Sequence, residues 1–454
     1  MKKILFSALF ALAVAPMWAD GENNDPEDFA SDEHLEAGFI TEHLNKAIEK
    51  AMPELNKMQN AECRMQNDSQ TDNTAQPNSA FCIQHSELDE AQPNSEFCIL
   101  NSALNEDVEY GRTVTDYISA PKFGGYFIGK YEYSSQDGKN SGGGFSQRLV
   151  RAYVDGKILK DFTYRVQVQL TNASFHMKDF FIEWGKYKEF KVKIGQYKRA
   201  FGFENPMNPW DVGDGDYSQL TKKLTGHSDY IGSESSSNGG RDQGIQVQGD
   251  LFPMKDGHRL IHYQLMLANG QGINAADANA RKDVIGTLQL QPIKGLTFGF
   301  FGWTGNATYN GITVDRNRYM VSAKYDNAGW TARAEYAHST GHKISDYYTA
   351  ADVANSMTLE KVAGALKPNA SNGRADAWYA TVGIPMTPWL KTYIKYDVYR
   401  DDATSATAKS IYSICPNIQL HKNLMFQLQY NYVNDKTLAK SNYSQLWLET
   451  YVRF

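Results

Sequence analysis

Along most of this chain apolar and polar residues alternate one by one. In 162–170, Phe162, Tyr164, Val166, Val168 and Leu170 share one face of an extended segment. Thr163, Arg165, Gln167 and Gln169 share the other, because strand side chains point alternately to opposite sides. The same alternation runs through 245–248, 261–265, 319–325, 390–396 and 424–430. It also fills the final residues, where Leu446, Leu448, Thr450, Val452 and Phe454 oppose Gln445, Trp447, Glu449, Tyr451 and Arg453. The pattern predicts about sixteen strands: 124–136, 144–155, 161–172, 175–185, 190–203, 241–252, 259–269, 282–291, 296–304, 315–326, 329–339, 375–385, 389–400, 409–420, 423–433 and 443–454. These runs reach the roughly nine to eleven residues of a tilted membrane strand. Strands of a β-sandwich are usually nearer five or six.

Connections alternate as well. Those at 155–157, 185–188, 291–295, 326–329, 385–388 and 421–423 are short, whereas 204–240 and 340–374 are long and polar. Short turns on one side and longer loops on the other are the layout of an outer-membrane barrel. Trp184, Tyr187, Trp330, Trp378 and Trp389 near strand ends fit interfacial girdles. The expected fold is all-β, a transmembrane antiparallel barrel of about sixteen strands. Pro416 fits badly inside 409–420, since it has no N–H for the ladder; a bulge or a shifted boundary is the expected repair.

Residues 1–110 break the pattern. Lys2 and Lys3 followed by the apolar 4–14 read as a secretory signal peptide, with cleavage expected after Ala19. Residues 20–110 hold 21 Asp+Glu against 4 Lys+Arg and read as an acidic periplasmic linker. Leu44, Ile48, Ala51, Leu55 and Met58 give it one stretch of helical spacing, interrupted by Pro53. Either a short oligomerising helix or a marginal amphipathic one accounts for that spacing. A repeat follows, 75–83 recurring as 91–99, with the character of a disordered insert. Cys63, Cys82, Cys98 and Cys415 have no metal-like spacing, although a Cys82–Cys98 bond is open to an exported chain. The division is therefore 1–19 leader, 20–110 linker and 111–454 barrel.

The terminal Phe454, with Val452 before it, resembles the signal read by the outer-membrane barrel-assembly machinery. The chain from Gly124 onward resembles the phosphate-selective porin O and P family. The resemblance is carried by Gly195-Gln196-Tyr197-Lys198-Arg199-Ala200-Phe201-Gly202-Phe203-Glu204, with Ala200 where that family has Pro. Segments 148–156 and 162–168 add to it. It implies an outer-membrane porin that passes small hydrophilic solutes, with anions such as phosphate as the expected ones, and a homotrimer. The rival of a different class is a secreted carbohydrate-binding β-sandwich.

Charge changes the picture further. The whole chain carries −6, but 111–454 holds 40 Lys+Arg against 31 Asp+Glu. The candidate solute-binding residues are Arg165, Lys193, Arg318, Lys324, Arg333, Lys391 and Lys395 on polar faces, with Lys198, Arg199, Lys222 and Lys223 at the longest early loop. Two readings stay open: these cations pair with Asp179, Glu183, Asp250, Glu335, Asp397 and Glu449 across the wall, or they give the lumen a potential favouring anions. Loop 204–240 is expected to fold inward, its basic cluster facing the channel and its acids facing the mouth. No Ser–His–carboxylate arrangement supports an enzyme. Asp211, Asp214 and Asp216 lack the following bidentate Glu of a Ca²⁺ loop, so no metal or cofactor is expected. Lipid, the assembly machinery and small anions are the expected partners, with no nucleic acid.

Overall fold

The structure, a computed structural model, describes residues 119–139, 142–171, 174–227, 239–309, 311–355 and 362–454. The expected leader, acidic linker, helix and repeat, and the Cys82–Cys98 bond, lie outside the described residues.

Sixteen strands form the wall: β1 (Lys122–Ser134), β2 (Gly144–Ile158), β3 (Phe162–Thr171), β4 (Ser174–Trp184), β5 (Lys191–Lys198), β6 (Arg241–Pro253), β7 (Arg259–Ala268), β8 (Asp283–Ile293), β9 (Leu296–Tyr309), β10 (Ile312–Asn327), β11 (Trp330–Thr340), β12 (Arg374–Thr387), β13 (Leu390–Asp401), β14 (Ala408–His421), β15 (Leu424–Asp435) and β16 (Asn442–Arg453). Each pairs with its neighbours in sequence, and β16 pairs antiparallel with β1, so the sheet is a closed barrel. At the seam Gly125 and Phe454 exchange two backbone hydrogen bonds, both 3.0 Å. Two short helices, α1 (Gln219–Leu224) and α2 (Ala350–Asn355), lie in the two longest loops.

Closure gives the alternation its meaning. On β10, Arg316, Arg318, Met320 and Ser322 are buried and face the lumen, while Tyr319 and Val321 are exposed outside. On β15, Gln427, Gln429 and Asn431 face in, and Leu428, Tyr430 and Tyr432 face out. Phe145, Phe180, Ile194, Phe300, Ile394 and Leu448 continue the apolar exterior around the wall. An apolar outside around a polar inside inverts a soluble protein, and suits hydrocarbon outside the wall. It also leaves no sheet edge, as a bilayer requires.

Two expectations about strand ends change. The strand expected over 190–203 stops at Lys198, because the chain there leaves the wall for the lumen. Pro416 causes neither a bulge nor an early end. It stays within β14, opposite Thr392 of β13. On the β15 side the ladder skips Cys415 and Pro416 and resumes in unchanged register, from Ile414↔Tyr430 to Asn417↔Gln427. Cys415 is a buried free thiol.

Gly195 shows why β5 begins its motif with glycine. Its φ is +127°, and a β-carbon there would lie 2.2 Å from the Phe180 carbonyl oxygen on β4. We expect Gly195→Ala to cost at least the roughly 1–3 kcal/mol of a forced backbone conformation. The barrel's unfolding midpoint in urea, measured in lipid vesicles, should fall, and less heat-modifiable barrel should form.

Candidate functional site: the loop folded across the lumen

The segment joining β5 to β6 turns into the barrel at Arg199. Its neck is closed by the Arg199 N–H donating to the Gly240 carbonyl at 2.8 Å. The Arg199 guanidinium holds Asp242 at 2.7 Å, both fully buried. Phe201 and Phe203 then pack edge-on against Phe301, and Phe201 also against Trp303. With Leu220 and Leu224 of α1 they build an apolar core inside the barrel against the walls of β7–β13. Glu204 accepts from the Ser218 N–H at 2.8 Å, and the Ser218 hydroxyl accepts from the Thr221 N–H, capping α1.

Beyond this core the loop crosses the lumen and is gripped by its main chain. A backbone brought inside a barrel leaves the ladder, and its polar groups need new partners. Wall side chains supply them. Arg333 donates to the Val212 carbonyl, Asn417 to Gly213, Tyr451 to Gly215, Lys395 to Asp216 and Arg318 to Leu224, at 2.5–3.1 Å. Lys198 donates to Met207. Asp397 accepts from the Gln219 N–H at 2.8 Å. Charged side chains add tethers: Asp214 pairs with Lys395 at 3.2 Å, and Asp216 with both Arg148 and Lys222 at 2.7 Å. On the far side Trp210 packs edge-on against Tyr451, with the Arg453 guanidinium 4.5 Å above its ring. The described part of the loop thus touches β8 through β16 and returns to β2.

The loop folds inward, but its charges are arranged otherwise than expected. Asp214 and Asp216 do not face the mouth; they lie inside, paired with wall cations. Lys222 is tied to Asp216, and Lys223 lies over the Tyr399 ring at 4.7 Å. Burial, with Lys409 and Lys343 near, lowers Lys223 to about 8, and those neighbours belong to the long-loop rim.

The remaining candidates are dispersed. Arg165 is clamped on Asp155 and Lys193 on Glu183. Arg318, Arg333, Lys395 and Lys198 hold the loop, and Arg199 holds its neck. Lys324 lies over the Phe203 ring and Lys391 over Tyr393, both toward the short-turn end. Lys324 also lines a cavity of about 370 Å³ there, with Asp250, Arg259, His262 and Asp326. These residues do not form one continuous basic path. Phe454 is exposed on the exterior with its ring over Gly125, and Val452 faces out beside it.

Two lumen cations escaped the alternation rule. Arg148 and Lys178 each occupy a bulge, where the register steps from Leu149 to Gln147 on β2 and from Asp179 to Met177 on β4. Strict alternation places both with the outward residues, and an extra residue re-aims them. Lys178 joins Arg241, both within 4 Å of where a β-carbon on Gly239 would lie. Arg241 pairs with Asp179, and among the described residues nearby Arg151 donates to neutral Tyr126 and Gln169. Arg151, Lys178 and Arg241 thus gather around one carboxylate.

No family model matches this chain, and no curated protein matches it. Among solved structures it is similar to the anion-selective porin from Comamonas acidovorans (TM-score 0.53, 11% identity, covering 74% of this chain and 99% of that one). It is also similar to the outer membrane channel DcaP of Acinetobacter baumannii (TM-score 0.51, 11% identity, 76% and 99%). At these identities the likeness is one of fold.

The Asp216 tether predicts a pH dependence. Burial works to raise its carboxyl, but Arg148 and Lys222 outweigh burial and hold it well below the usual carboxylate range. A depressed folded value stabilises the loop at every pH above the unfolded value, about 3.9, and the stabilisation is lost as pH falls below it. Amide exchange at Asp216 and Tyr217, corrected for intrinsic rate, should therefore be flat from pH 8 to pH 5. In Arg148→Met it should be faster on the order of tenfold or more, as for losing one partner of a largely buried pair.

Proposed function

We propose that the protein is an outer-membrane porin, a passive channel for small hydrophilic solutes narrowed by its own β5–β6 loop. The observation that carries this reading is the closed wall, apolar outside and polar within, with that loop laid across its interior. A barrel of sixteen strands is wide enough for an aqueous channel. The lumen faces of β3–β7 keep partly accessible polar side chains, Gln169, Glu183, Lys193, His262 and Gln264, as a wetted path requires. The fold shared with the two channels named above supports the same reading. In it, residues 1–19 direct export, 20–110 lie in the periplasm, Phe454 and Val452 serve assembly, and three copies associate. The short turns then face the periplasm and the long loops the outside.

Anion preference is the finer part. The excess of basic residues in 111–454 supports it, and so does the cluster of Arg151, Lys178 and Arg241 around the single Asp179 carboxylate. The comparison with a porin described as anion-selective points the same way. Phosphate is the anion suggested by the resemblance of 195–204. The tie of Arg318, Arg333 and Lys395 to the loop moves the weight of this reading from those residues to the cluster. Lys324 and Lys391 remain as cations toward the periplasmic exit.

Planar-bilayer recording tests both parts. Purified protein should give stepwise conductance, with a zero-current potential in a KCl gradient of the sign set by chloride. Lys178→Glu should move that potential toward cation preference. A barrel that inserts but never conducts overturns the porin reading. A cation-selective wild type overturns the anion preference alone.

A further inference from the structure

Glu335 sits midway along the lumen face of β11 and is 2% exposed. Its two ladder partners are Ser322 on β10 and Tyr379 on β12, and both hydroxyls donate to it at 2.7 Å. The wall thus fixes the carboxylate from either side. Each oxygen keeps room for one more donor. Those places are taken by two consecutive loop amides, Phe203 N–H to Oε2 at 2.8 Å and Glu204 N–H to Oε1 at 3.0 Å. The chain can present both because Gly202 takes φ +83°, and a β-carbon there would come within 3.2 Å of Oε2. Four donors on one buried carboxylate is the full complement that its two oxygens accept comfortably.

The place of this contact matters more than its number of bonds. Most of the other grips on the loop main chain reach carbonyls beyond residue 206. Glu335 grips the root, immediately after the chain leaves β5, and the crossing segment Trp210–Asp216 hangs from that point. A small shift at the root becomes a larger one at Trp210. We infer that Glu335 is a positioning residue that sets the width of the channel, and so the size of solute admitted. This rests on the porin reading above. It goes beyond that reading by assigning the size limit to a carboxylate that meets no permeating solute.

Glu335→Gln keeps the volume but turns one acceptor oxygen into an NH₂ facing an N–H and a hydroxyl. A hydrogen bond to a charged group contributes about 1.5–3 kcal/mol, so the released state of the loop should become more populated on the order of ten- to a hundredfold. The experiment pairs single-channel recording with swelling of proteoliposomes in sugars of graded size, using wild type, Glu335→Gln, Glu335→Ala and Asp435→Asn. Asp435 is the control: it is a carboxylate on the lumen face of β15 bound to Lys409 and Thr437, and among the described residues it makes no hydrogen bond or ion pair with the loop's root. Expected are a higher or more frequently stepping conductance and admission of larger sugars in both Glu335 variants, with the wild-type limit kept in Asp435→Asn. Heat-modifiability establishes that each barrel has formed, and Glu335→Gln decides the matter if Glu335→Ala does not assemble. A conducting wild type with the same size limit in Glu335→Gln overturns the positioning role and leaves the porin reading standing. An equal change in Asp435→Asn also overturns it, since any lumen carboxylate would then serve. Silence of wild type and every variant overturns the porin reading itself.

Discussion

The pairing of β16 with β1 is the constraint on which everything else rests. An open sheet of this length has two edges and two equivalent choices of covered face. Once the register from Tyr126↔Arg453 to Ser134↔Gln445 is made, every strand has an inside and an outside. Alternation that would be a neutral property of a single strand becomes a division between solvent-facing lumen and apolar exterior. The ladder also satisfies the wall's own backbone, which is the condition for placing such a wall in hydrocarbon.

Closure creates a second demand. The β5–β6 loop enters the lumen and carries backbone N–H and C=O groups away from any ladder. The lumen answers with charge. Arginine and lysine side chains meet carbonyls, and Glu335 and Asp397 meet amides, so the wall acts as a set of complementary sockets. Bonds of this charge-assisted type are about twice as strong as neutral ones. This explains why a wall with so many cations offers so few of them to a passing ion. Many are occupied by the loop or by a neighbouring carboxylate, and Arg151, Lys178 and Arg241 gather around Asp179. The apolar core of Phe201, Phe203, Leu220 and Leu224 fixes one side of the loop, and Trp210 against Tyr451 fixes the other.

The motif 195–204 is now readable as a mechanical device. Gly195 permits the close approach of β5 to β4. Gln196 bonds outside the lumen, donating to the Lys178 carbonyl and accepting from the Asn274 N–H. Lys198 and Arg199 secure the neck, the two Phe side chains seat the loop, Gly202 turns it, and Glu204 holds Ser218, the cap of the helix that follows. Its residue types are those of a chain leaving a sheet under control, which is why the motif identifies an architecture more sharply than a solute.

What the sequence by itself determined is what depends on neighbours one or two positions apart. Period-two alternation placed Arg318, Arg333, Lys395 and Glu335 on the polar face and Tyr319, Leu448 and Val452 on the apolar one. Strand length and the spacing of turns gave about sixteen strands. The tertiary structure alone decided what those polar faces do. Arg333 meets Val212 across 121 positions and Arg148 meets Glu449 across 301, separations at which no local pattern carries information. The bulges at Arg148 and Lys178 escaped for the same reason: an inserted residue is defined by the partner strand it fails to match. Asp214 and Asp216, read in the sequence as loop acids facing the mouth, carry no local sign of the cations they meet. Their partners, Lys395 and Arg148, come near only when the barrel has closed around the loop.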